Sequence, residues 1–216
     1  MFFASRQDAG RTLGRHLREI GVEVDLVAGV PRGGVIVAGE VARILKRPLG
    51  VIGVRKIGHP WHRELAVGAL AENNITLLDE NVIGDDILLR AALETVMQEE
   101  NARLLEYQEK FHQDKKTDFS GKSVLVVDDG LATGATAEAA VLSAKKQGAQ
   151  KIFVAIPVAS SSAIERLMTA ANGVTALVVD PAFSAVGQYY KAFPETSDDE
   201  VLEVLRGQTE NGGQSA

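Results

Sequence analysis

Short runs centred on Val, Ile, Leu and Ala recur along the chain as DLVAGV, RPLGVIGVRK, KSVLVVDD, KIFVAIPV and VTALVVD, with helix-forming stretches between them. A strand that is apolar on both faces has to be covered on both. The alternation therefore predicts an α/β domain with a mostly parallel central sheet and helices on both faces. The helices are read from spacing and punctuation. Leu13, Leu17 and Ile20 repeat at helical intervals and end near Gly21, VIVAGEVARILKR follows the first strand, and ATAEAAVLSAKKQG is closed by Gly148. From Asp85 to about Gln113 strong helix formers run without Gly or Pro, which predicts one long helix. ELAVGALAENNITLLD predicts a hairpin turning at Asn73 and Asn74.

The 216 residues, 45% of them hydrophobic, suffice for one domain. We expect it to cover residues 1–206, with 207–216 a disordered tail, because GQTENGGQSA offers almost nothing apolar to bury. A net charge of −6 has the wrong sign for wrapping nucleic acid phosphates. Cysteine is absent, so disulfides and thiolate zinc sites are excluded and a cytoplasmic location is expected. The first residues turn polar too soon for a signal peptide, and no apolar run approaches the ~20 residues of a membrane span, so no membrane partner is expected.

Every unusual stretch follows a strand, where ligands bind in such sheets. In VLVVDDGLATGATAEAA, Asp128 and Asp129 leave a buried strand and point to opposite sides. Ala132, Thr133, Gly134, Ala135 and Thr136 then lead into a helix, where small side chains, free amides and hydroxyls suit an anion. Two acids beside a phosphate cradle suit a phosphorylated sugar. A signalling receiver domain also opens with VLVVDD, but it requires a longer run after that strand and a lysine after a later one. In GVPRGGV, Gly33 and Gly34 allow amides to face an anion. Between Arg55 and Arg63, RKIGHPWHR carries no acid and forms a local cationic patch, with Gly58 and Pro60 arguing against a regular element. His59 and His62 as metal ligands are the weaker alternative, since no acid pair lies near them.

Taken in order, these motifs resemble type I phosphoribosyltransferases, and most closely a group of them with unassigned substrate that shares PRGG and a run like DPAFSAVGQYYKAFPETSDDEV. The resemblance covers about Asp25 to Asp180. It implies that Asp128 and Asp129 hold the ribose hydroxyls, and that residues Ala132 to Thr136 hold the 5-phosphate. Arg32, Gly33, Gly34, Arg55 and Lys56 would bind the diphosphate, with a cis bond between Pro31 and Arg32. His59, His62 and Arg63 would belong to a mobile lid. A small hood near 181–193 would cover the base, with Phe183 stacking on it. Arg32, Lys56, Asp128 and Asp129 become the implied catalytic set, with Glu64 in the lid as the acid or base, since Ala132 stands where enzymes of 6-oxopurines carry an aspartate. The implied cofactor is Mg, bound through donor oxygens and at most Asp128 and Asp129. The implied partners are phosphoribosyl pyrophosphate and a nitrogenous base, with a homodimer left open. The alternatives are a regulator that binds the donor without reacting it, and a phosphoribosyl hydrolase.

Overall fold

The computed structural model describes residues 2–112 and 117–212, except the side chains of Glu64 and residues 209–212. Helix α1 spans Arg6–Glu19. Ser5 caps it by accepting from the Asp8 amide at 3.3 Å, while Asp8 reaches back to the Ala4 amide at 2.9 Å. This reciprocal cap is worth about 1 kcal/mol and fixes Arg6 as the first helical residue. Strand β1 (Leu26–Gly29), helix α2 (Gly33–Leu45) and strand β2 (Leu49–Val51) follow. Then come β3 (Val54–His59), β4 (His62–Ala71), β5 (Ile75–Leu78), a short α3 (Glu80–Ile83) and the long α4 (Ile87–His112). The chain continues with β6 (Ser123–Val127), α5 (Ala135–Lys146), β7 (Lys151–Ser160), α6 (Ser161–Ala170) and β8 (Gly173–Asp180). A 3-10 turn at Val186–Tyr189 and α7 (Asp198–Gly212) complete it.

The central sheet has the order β2-β1-β6-β7-β8 and every pairing in it is parallel. Alternating side chains serve opposite layers, as the strand period requires. Val27, Leu125, Val127 and Ala155 pack with Leu13, Leu17, Val37 and Val41 of α1 and α2. Leu26, Ala28, Val124, Val126, Val154 and Ile156 pack with Ala137, Ala140, Val141 and Leu167 of α5 and α6. Each fully buried Leu or Val contributes about 1.5–3 kcal/mol. The predicted two-sided cover is thus present.

Two local expectations are corrected. RPLGVIGVRK is not one core strand: β2 stays in the central sheet, while β3 joins β4 and β5 in a separate antiparallel sheet. The break has a cause at Gly53. The buried Glu72 carboxylate accepts from the Gly53 amide at 2.6 Å, and the Glu72 amide donates to the Gly53 carbonyl at 3.1 Å, so this residue's backbone is taken out of the central sheet. The cationic stretch is also regular. His59 pairs with His62 across a tip of Pro60 and Trp61, with register shifts around Gly58, where an added Cβ would lie 2.7 Å from the Arg63 carbonyl oxygen. The β4–β5 hairpin turns as expected at Asn73 and Asn74, whose φ angles of 64° and 57° suit a tight hairpin turn. Helix α7 carries its backbone to Gly212, into the stretch read as a tail, and residues 213–216 lie outside the described residues.

Candidate active site

The turn after β1 and the loop after β6 meet at the carboxyl edge of the sheet. Gly33 and Gly34 press directly on the acid pair. A Cβ at Gly34 would sit 2.7 Å from Asp128 Oδ1, and one at Gly33 would overlap Asp129 Oδ2 and stand 2.6 Å from Arg6 Nε. Glycine is required here by proximity, not by backbone angle. The Pro31–Arg32 peptide bond is cis.

These loops border a cleft of about 390 Å³ whose lining includes Arg32, Arg55, Lys56, Arg63, Asp128 and Thr136. The structure therefore gathers residues from three of the motifs around one space. A further part of its wall comes from α4, through Val96, Glu100, Arg103 and Tyr107. Their spacing of four, three and four residues puts them on one helix face. Glu100, 7% exposed, accepts from Arg55 at 2.8 Å and from Arg103 at 2.6 Å, and Arg55 also donates to the Tyr107 hydroxyl at 3.1 Å. Arg55 is thereby held in place by α4. Arg32 is ion-paired with Glu195 and stands 3.8 Å from Asp198.

The two aspartates differ in surroundings. Asp128 lines the cleft and accepts from the Asp129 amide at 2.8 Å. Burial, and then the neighbouring Asp129 charge, push its carboxyl well above the usual range. Asp129 is raised by burial too, but Arg6 opposes the shift by donating from Nε to Oδ2 at 2.7 Å. The Asp129 carbonyl accepts from the Tyr190 hydroxyl at 2.5 Å, and burial raises that phenol's pKa. Helix α5 starts behind Gly134, whose φ of 76° favours glycine. Ala132 and Thr133 are exposed ahead of it, and the Ala132 carbonyl accepts from the Ser160 hydroxyl at 2.5 Å.

Other expected residues lie elsewhere. Phe183 is stacked on Tyr189 at 5.5 Å and is not part of the cleft wall. Tyr189 donates to Asp180 at 2.5 Å, an arrangement that pushes its phenol up to about 12. His59 and His62 face each other at the hairpin tip with rings 5.5 Å apart. Glu64 falls on β4, and its side chain lies outside the described residues. Arg6, Glu100, Arg103 and Tyr107 were not singled out from the sequence. The helical spacing of the last three with Val96 was the available signal, and Arg6 had none.

Residues 4–180 match the phosphoribosyl transferase domain family. The crystal structure of TT1426 from Thermus thermophilus is similar, with 39% identity, a TM-score of 0.78, and coverage of 96% of this chain and 99% of that one. Proteins of two Mycobacterium tuberculosis strains, CDC 1551 and H37Rv, both provisionally named phosphoribosyl transferases, are 40% identical over 204 residues, which is 94% of this chain and 46% of theirs. The chain thus spans about half the length of these curated relatives. Fold and sequence agree, and the chain belongs to the phosphoribosyl transferase domain family.

Proposed function

We propose that this protein moves the phosphoribosyl group of phosphoribosyl pyrophosphate onto a ring nitrogen of a base and releases pyrophosphate. One observation carries the reading: the glycine turn and the acid pair touch each other beside a single cleft whose other residues include Arg32, Arg55, Lys56 and Arg63. As the bond from the anomeric carbon to the diphosphate breaks, positive charge grows on the ribose and negative charge on the leaving group. Asp128 sits where a ribose hydroxyl can donate to it, and the amides before α5 with Thr136 take the 5-phosphate. Arg32, Arg55 and Lys56 stabilise the diphosphate, and Arg55 arrives preorganised by Glu100 and Tyr107. Mg fits this donor set, because a cleft carboxylate at Asp128 supplements the phosphate oxygens and waters it prefers, and it would neutralise leaving-group charge. The cysteine-free composition suits a reducing cytoplasm, and no helix among the described residues is long and apolar enough to cross a membrane.

Incubating protein, donor and Mg with a panel of bases tests the reading through pyrophosphate release. Release only with a base supports transfer, release without one means hydrolysis, and donor binding with no release means a regulator. Within that panel hypoxanthine and guanine are expected to be poor acceptors, because the Ala132 methyl can exchange no proton with a 6-oxopurine. Efficient turnover of either would refute that use of Ala132.

The hairpin of β3 and β4 is read as the lid, since Arg55, Lys56 and Arg63 project from it into the cleft wall. Its antiparallel pairing at the tip reduces to His59 with His62 beyond the irregular register at Gly58. Amides from about Ile57 to Glu64 are expected to exchange quickly in the free protein and more slowly with donor and Mg bound. Hydrogen exchange showing equal protection in both states would rule out a lid.

A further inference from the structure

We propose that Arg6 is a positioning residue for the sugar, fixing the carboxylate of Asp129 from behind while taking no part in the cleft itself. The inference rests on the phosphoribosyl reading of the site and assigns a role to the first residue of α1, which lies outside every motif in the sequence. Arg6 is 10% exposed and Asp129 16%, and neither is among the cleft-lining residues, where the acid pair is represented by Asp128. Its guanidinium is fixed at three points. Nε donates to Asp129 Oδ2 at 2.7 Å, Nη1 donates to the Pro194 carbonyl at 2.6 Å, and the guanidinium carbon lies 3.7 Å from the centre of the Phe193 ring. A cation over an aromatic face in a site shielded from water is held more firmly than either contact alone would hold it.

The aspartate is held with equal care. Its carbonyl accepts from the Tyr190 hydroxyl at 2.5 Å and its amide donates to Asp128 at 2.8 Å. With Oδ2 committed to Arg6, a sugar hydroxyl is left the other oxygen, in one orientation. Gly33 completes the arrangement, because any Cβ there would collide with both partners of the pair. Arginine suits the task better than lysine. Its planar fork reaches the carboxylate, the carbonyl and the ring at once, whereas an ammonium supplies one point charge. The arrangement also places Tyr190, just after the 3-10 turn, in contact with Asp129, and Phe193 against Arg6.

The proposal separates two ligands that occupy different parts of one cleft. Calorimetric titration with ribose 5-phosphate and, separately, with pyrophosphate plus Mg distinguishes them. Arg6→Ala is expected to lower ribose 5-phosphate affinity about tenfold and to leave pyrophosphate affinity within twofold. Arg6→Lys, which keeps the charge and guards against a variant that fails to fold, should show a smaller loss with the same selectivity. Phe193→Leu, which removes the ring and leaves the Arg6–Asp129 pair intact, should fall between wild type and Arg6→Ala. A residue that only stabilises the fold would weaken both ligands together or neither, and either result overturns the proposal. Wild-type protein that binds pyrophosphate but not ribose 5-phosphate would instead overturn the site assignment beneath it.

Discussion

Gly33→Ala is expected to cost the protein its donor affinity by roughly 10- to 100-fold while leaving the fold in place. The added methyl would overlap Asp129 Oδ2, stand 2.9 Å from its Cγ and 2.6 Å from Arg6 Nε. None of these neighbours is a free chain end that can swing away, because Arg6 is anchored on Phe193 and Pro194 and Asp129 is anchored by Tyr190. Forcing a methyl into a packed contact typically costs about 1–3 kcal/mol, and each tenfold in affinity corresponds to about 1.4 kcal/mol. The strain falls on the acid pair, so binding suffers more than the distant core. Titration of the variant with donor and Mg, beside a thermal melt, checks both halves. Wild-type affinity in the variant would mean that the acid pair does not set the donor's grip.

Asp128→Asn is expected to move stability and binding in opposite directions. The loss of a charge-assisted bond to the ribose should weaken donor binding at least tenfold, about 1.4 kcal/mol. The free protein should become more stable at neutral pH, because a buried carboxylate beside another is removed. The sign follows from linkage. Burial and Asp129 raise the Asp128 carboxyl above its ordinary value of 3.8, so the native state keeps a proton that the unfolded chain has released. Below that ordinary value both states are protonated and the contribution is fully present. As pH climbs from about 4 toward the raised native value, wild-type stability falls. Asparagine does not titrate, so the gap in Tm between variant and wild type should widen as pH is raised from 4 to 8. Each kcal/mol gained corresponds to about 2–4 °C for a domain of this size. A gap that is constant across that range, or a variant less stable at pH 7, would contradict the assigned environment of Asp128.

The parts of this molecule that were legible in the sequence are those written locally. KSVLVVDD and KIFVAIPV announce buried parallel strands because both faces are apolar, and Asn73-Asn74 announces its turn because Asn tolerates the required angles. The acid pair and PRGG could be read as one site because each closes a strand of the same sheet. The partition of RPLGVIGVRK could not be read, since its cause is Glu72, a residue distant in the chain. The hairpin form of RKIGHPWHR was hidden by Gly58 and Pro60, which here serve a bulge and a tip. Arg6, Glu100 and Arg103 act through pairings between remote segments, and an ordinary charged residue on a helix carries no mark of its eventual partner. Phe183 shows the converse, a ring prominent in the sequence whose neighbour in space turned out to be Tyr189.

The pairing of β1 with β6 has a consequence for how the chain assembles. Asp25 accepts from the Ser123 amide across 98 residues, and the small sheet together with α4 lies within that span. Closing so long a loop adds little to the thermodynamic cost, which grows only with the logarithm of length, but contacts of such range slow folding. The small sheet needs no such closure, since β3, β4 and β5 are joined by tight turns. The strands that carry Arg55, Lys56 and Arg63 can thus pair through local contacts, and Arg55 then meets Glu100 and Tyr107 of α4 within that same span, whereas Asp128 meets Gly34 only when the long loop has closed. A chain halted before β6 would carry the hairpin's cations without the acid pair, so the contact of Asp128 with the glycine turn is a property acquired by the finished domain and by no part of it.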